Sequence, residues 1–127
     1  MTTLRIGIAN YQAYKARTMA IARGEIVEGP QSPKVWFPSI ESLAKVLSDR
    51  NRDLLSVVAQ SQPQSLSDLA QATGRAKSNL SRTLRNLEFY GIIALDAGPN
   101  RTLVPRILYD EICVDLPLTS EPPKIAA

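Results

Sequence analysis

Two leucine-bearing segments separated by little more than Thr73-Gly74, with a second glycine stop at Gly91, restrict this chain more than any other feature. Ser67 is a good N-cap, and Leu69, Ala70 and Ala72 form the apolar side of a short helix ending at Thr73-Gly74. Glycine takes the left-handed turn at a helix end without a Cβ penalty. The next helix is expected from near Lys77 to Tyr90, where Gly91 stops it, and Leu80, Leu84 and Leu87 follow the i, i+4, i+7 rule. A hairpin comes next. Ile92 to Leu95 and Thr102 to Val104 are strand-like and flank Ala97-Gly98-Pro99-Asn100, a turn by composition. Pro105 cannot donate to a ladder and belongs at an edge or a bulge.

The flanking chain is less regular. Ile8 to Arg23 lacks Gly and Pro and suits a helix, whereas Gly29-Pro30 and Pro33 mark Gly24 to Pro33 as a linker. Val35-Trp36-Phe37 is a short extended segment. Ser39 caps a helix that turns Ile40, Leu43, Ala44, Val46 and Leu47 inward. Ser48-Asp49 opens another, with Leu54, Leu55, Val57 and Val58 on its buried side and Pro63 at its end. Ile112, Val114 and Leu116 alternate with Cys113 and Asp115, so a last strand is expected before a Pro-containing tail from Pro117.

Composition excludes several classes of function. At 127 residues a single domain is the default. One cysteine cannot form an internal disulfide, and the absence of histidine removes His-dependent triads and His-type metal ligation. No nucleophile–base pair stands out, so an enzyme is not expected. No apolar run approaches the roughly 18 to 20 residues of a membrane span, and there is no signal-peptide core, which makes a cytoplasmic protein the expectation. The net charge of +3 is unevenly placed. From Arg75 to Arg106 there are six basic residues against two acids, while the rest of the chain holds nine against ten. Clustered positive charge is the footprint of a polyanion binder, with an ordinary solvated surface as the rival explanation.

Helix, tight glycine turn, second helix and a hairpin with a basic tip is the order of a winged helix-turn-helix. A recognition helix buries one face on its own domain and offers the other to the major groove, which admits one α-helix. At about 100° per residue, Leu80, Leu84 and Leu87 fall within roughly 60° of one another, and Ser78, Arg82 and Arg85 within roughly 60° on the opposite side. Arginine takes guanine O6 and N7 bidentately, asparagine takes adenine N6 and N7, and serine serves base or phosphate. Arg82 and Arg85 are the strongest base-reading candidates. Arg75, Lys77, Ser78, Asn79 and Ser81 sit on or beside the leading turn, where backbone N–H groups also attract phosphate. At the hairpin tip, Asn100 and Arg101 suit a contact with phosphates or the minor groove.

The run Leu66-Ser67-Asp68-Leu69-Ala70-Gln71-Ala72-Thr73-Gly74, then Lys77-Ser78-Asn79-Leu80-Ser81-Arg82-Thr83-Leu84-Arg85-Asn86-Leu87-Glu88 and Gly91-Ile92-Ile93, resembles the MarR-type and ArsR-type bacterial regulators over roughly residues 52 to 106. The stretches Ala16-Arg17-Thr18-Met19-Ala20-Ile21-Ala22-Arg23-Gly24-Glu25 and Lys34-Val35-Trp36-Phe37 to Leu47 are similar to a group of winged-helix regulators, some encoded beside a toxin and taken as antitoxins. One departure is Ala76, where such recognition helices usually begin with Ser or Thr.

The expected fold is therefore α+β and mainly helical: a winged helix-turn-helix at 35–116, preceded by a helical arm and linker at 1–34 and followed by a flexible tail at 117–127. The resemblance implies a sequence-specific double-stranded DNA-binding transcriptional regulator, a repressor acting as a homodimer, with no cofactor and no metal. Its apolar N-terminal helix either pairs the subunits or packs on its own domain. The alternative is an antitoxin that binds a partner toxin and autoregulates its operon.

Overall fold

Leu4, Ile6 and Ile8 alternate with Thr3, Arg5 and Gly7, and in the structure this stretch is a strand rather than the start of a helical arm. The computed structural model describes residues 2–119. In chain order its elements are β1 (Thr3–Ile8), α1 (Tyr11–Ala22), β2 (Val35–Phe37), α2 (Ile40–Val46), α3 (Asp49–Ser61), α4 (Leu66–Thr73), α5 (Lys77–Phe89), β3 (Ile93–Ala97), β4 (Leu103–Ile107) and β5 (Glu111–Asp115). The architecture is α+β, with five helices, a three-stranded parallel sheet and a hairpin among the described residues. No helix among them is long and apolar enough to cross a membrane. Of the expected tail, residues 120–127 lie outside the described residues.

The contacts divide the chain differently from the expected boundaries at 34/35 and 116/117. One unit holds Thr3–Leu43 with residues 112–119; the other holds Thr2 and Ala44–Glu111. The reason is strand pairing. The sheet order is β2-β1-β5, with Ile6 opposite Val35, Gly7 opposite Trp36 and Ile8 opposite Phe37. Parallel neighbours require a crossover connection, and α1 with its loop supplies it. Leu4, Ile6, Ile8 and Phe37 are buried. On the other side of β1, the Trp36 ring lies where a Cβ on Gly7 would sit. Arg17 of α1 stacks over that ring at 5.0 Å, and Tyr14 meets it at a tilt with centroids 6.0 Å apart. The helix expected from Ile8 begins only at Tyr11, because the Asn10 side chain caps it by accepting from the Ala13 N–H at 2.8 Å. No residue of α1 is buried.

In the other unit, Leu54 and Val58 of α3, Leu69 of α4 and Leu80, Leu84 and Leu87 of α5 are buried with Ile92 and Ile93. Ser48 caps α3 by accepting from the Asn51 N–H at 3.2 Å. Ser65, not Ser67, caps α4, accepting from the Asp68 N–H at 3.1 Å, so Ser67 falls inside the first turn. Gly74 ends α4 at φ 72°, the left-handed turn expected there. Of the inward set expected for the short helix α2, Leu43 and Val46 are buried, Leu47 is half-buried just past the helix end, and Ile40 and Ala44 are exposed, because two turns present only one i, i+3 stripe. The hairpin is longer than its apolar runs: Ile93 pairs with Ile107 through to Ala97 with Leu103. Pro105 lies opposite Leu95 within a two-stranded ladder, where each strand keeps an open edge.

Gly7→Ala tests the Trp36 seat. The added Cβ forces the ring to move, and the expected cost is about 1–3 kcal/mol in urea unfolding. The emission of Trp36, the single tryptophan of the chain, reports the displaced ring directly.

Candidate functional site

α5 is built as a two-faced helix. Leu80, Leu84 and Leu87 are at most 1% exposed, which fixes the rotation of the helix and leaves the other side outward. On that outer side Ser78, Arg82 and Arg85 are exposed and Ser81 is half-buried, with Lys77 exposed at the leading turn. Neither Arg82 nor Arg85 makes a hydrogen bond or ion pair among the described residues. Other arginines are engaged: Arg17 lies 3.8 Å from Glu28, Arg52 pairs with Asp49, and Arg106 pairs with Asp96. Two unpaired guanidinium groups on one helix face are a donor array of the kind that meets phosphate or a base edge.

Arg75 and Asn79 are arranged differently from the free contacts expected of them. The Arg75 Nε and Nη2 donate to Asn79 Oδ1 at 2.9 and 2.7 Å, and Nη2 also reaches Thr83 Oγ1 at 3.3 Å. The Arg75 backbone N–H donates to Thr73 Oγ1 at 3.2 Å. This network ties the α4–α5 turn to α5. Burial, with Arg50 nearby as a like charge, lowers the Arg75 pKa from the ordinary guanidinium value. Thr73 and Thr83 are not among the site residues expected from the sequence; the spacing Arg75, Asn79, Thr83, four residues apart each time, is the signal that points to Thr83.

Ala76 is the N-cap of α5 and provides no side-chain hydrogen bond, so the leading N–H groups of this helix lack the usual hydroxyl acceptor. Such a terminus attracts anions through those groups and the helix dipole.

The hairpin tip forms a separate group. Pro99–Arg101 make one tight turn, closed by Gly98 N–H to Thr102 O at 2.9 Å and Thr102 Oγ1 to Pro99 O at 2.8 Å. Asn100 and Arg101 lie at φ 58° and 62°, both in the left-handed region and both exposed. Asparagine tolerates that region; arginine does so at a cost. Lower on the hairpin, Arg106 Nε donates to Asp96 Oδ2 at 2.8 Å. The bond holds the Asp96 carboxyl below the usual range and raises Arg106, so this cation is already matched. No hydrogen bond or ion pair among the described residues joins the Arg75 network, the outer face of α5 and the tip. No group of three or more His, Cys, Asp or Glu side chains among them is placed to hold a metal ion.

A family model described as HVO_A0114 matches residues 46–114, just over half of the chain, and spans α3 through most of β5. No curated protein and no solved structure matches.

Ala76→Ser restores the missing cap. A serine hydroxyl there accepts from the first-turn N–H groups, and the expected gain is about 1 kcal/mol in thermal or urea unfolding. An unchanged midpoint contradicts an uncapped α5 terminus.

Proposed function

The chain belongs to the HVO_A0114 family, and from the residues that the match covers we propose that it is a sequence-specific double-stranded DNA-binding transcriptional regulator of the winged helix-turn-helix type. The observation that carries this reading is the two-sided build of α5: a buried leucine stripe opposite two exposed, unpaired arginines. In this reading α3, α4 and α5 form the three-helix scaffold, α5 enters the major groove, and the β3–β4 hairpin is the wing. Arg82 and Arg85 read guanine edges, Lys77, Ser78 and Ser81 contact phosphate or base at the leading turn, and Asn100 and Arg101 track the neighbouring backbone. The protein represses by occluding a promoter.

Dimers of this fold place two recognition helices about one DNA turn apart on pseudo-palindromic sites, and a homodimer is part of the proposal. α1 supports it by leaving Tyr11 and Met19 exposed. The same exposed helix favours a second reading, an antitoxin whose α1 docks on a partner toxin. Deleting the N-terminal segment does not separate these readings, because it strips β1 out of the sheet. Co-elution with the product of an adjacent gene does.

Footprinting on the DNA immediately upstream of its own gene tests the function, with protection of a defined site as the expected result. On that site Arg82→Ala and Arg85→Ala each weaken binding by about 1–3 kcal/mol and relax base preference. If both folded variants bind like wild type, α5 is not the reading helix. Arg101→Ala instead weakens specific and random DNA alike and lowers the slope of log affinity against log salt by about one unit. A loss confined to one base position contradicts the wing assignment.

A further inference from the structure

The network around Arg75 restricts what Asn79 can offer to DNA. A guanidinium has only donors, so the atom of Asn79 that faces it is the amide oxygen and not the nitrogen. Two N–H groups of Arg75 converge on that oxygen, at 2.9 and 2.7 Å, and occupy both of its acceptor positions. Among the described residues Arg75 Nη1 is the one buried side-chain nitrogen or oxygen without a partner. The Asn79 NH2 group, which has no protein acceptor, is therefore reached by solvent. Asn79 is the third residue of α5, on the turn that the proposed function brings against the duplex.

Asparagine recognises adenine by donating to N7 and accepting from N6 at the same time. With Oδ1 held by Arg75, only the donating half is left. From this we infer that Asn79 is a donor-only contact, oriented by Arg75 as a positioning residue, and that it selects an acceptor of the duplex without the bidentate preference for adenine. The acceptor is a purine N7, a guanine O6, a thymine O4, or a phosphate oxygen, and the base edge it excludes is that of cytosine. This inference rests on the DNA-binding reading but makes its own demand on the free protein.

Two experiments test it. In the free protein, the Arg75 Nε–H signal in a nitrogen-15 spectrum exchanges slowly and shifts in Asn79→Ala. Exchange as fast as that of exposed Arg82 overturns the positioning role, whatever the DNA result. The second experiment selects bound duplexes from a randomised pool with wild type, Asn79→Asp and Arg75→Met, each checked by melting. Asn79→Asp keeps an acceptor for Arg75 and replaces the outward donor by an acceptor. Exclusion of cytosine at one position in wild type, lost in Asn79→Asp with roughly tenfold weaker binding, places the contact on a base edge. Uniform weakening on all duplexes, with no position responding, places it on a phosphate. Arg75→Met frees Oδ1, and adenine becomes the preferred base at the responding position in the base-edge case. Adenine preferred over guanine and thymine by wild type at a position that Asn79→Asp loses overturns the inference. No enrichment by wild type overturns the DNA-binding reading and this inference with it, and the exchange measurement then shows whether the Arg75–Asn79 contact exists in its own right.

Discussion

Burial of one leucine stripe decides what α5 can present. Removing Leu80, Leu84 and Leu87 from water stabilises the three-helix unit by roughly 1.5–3 kcal/mol per side chain, before chain entropy is counted. Because a helix is rigid about its axis, that burial also fixes the direction of Ser78, Arg82 and Arg85. Rotating α5 to hide the arginines would expose the leucines. The outward arginines are thus held in place by the core, while their own interactions contribute nothing to it among the described residues.

The two ends of α5 are set by different means. At its start the cap hydroxyl is missing, and the Arg75 network provides side-chain bonds from the turn to Asn79 and Thr83 instead. This arrangement holds two positions of α5 against the preceding turn and leaves the first N–H groups open. At its end, Gly91 at φ 74° permits the reversal into β3. The β3–β4 hairpin then depends on a turn in which the left-handed Arg101, next to an asparagine that tolerates the same region, carries a local backbone cost.

The part of the chain with strong periodicity was legible in the sequence. α4, α5 and the hairpin follow from Leu69, the leucine triplet, Gly74, Gly91 and the Gly-Pro turn, each of which has a local physical cause. β2 and β5 were legible as extended segments, but β1 and the pairing of the three into one sheet were not, since the partners are distant in sequence. Parallel pairing leaves no turn signal beside the strand, and Leu4, Ile6 and Ile8 precede a helix-like run that drew Ile8 into the wrong element. Similarly, Arg82 and Arg85 could be placed from helical spacing, whereas the engagement of Arg75 with Asn79 depends on side-chain geometry around a turn. Arg75, four residues before Asn79, folds back on it, which residue type and spacing alone do not distinguish from a free cation.

The most direct test of the central claim is a backbone amide titration of the labelled protein with a short random-sequence duplex at low salt. Non-specific binding is dominated by phosphate contacts, so no operator is needed. The account predicts that the largest chemical-shift changes fall on Lys77 to Arg85 and on Gly98 to Arg101, and that they diminish as salt is raised. Changes confined to α1, or no change at low salt, would contradict it.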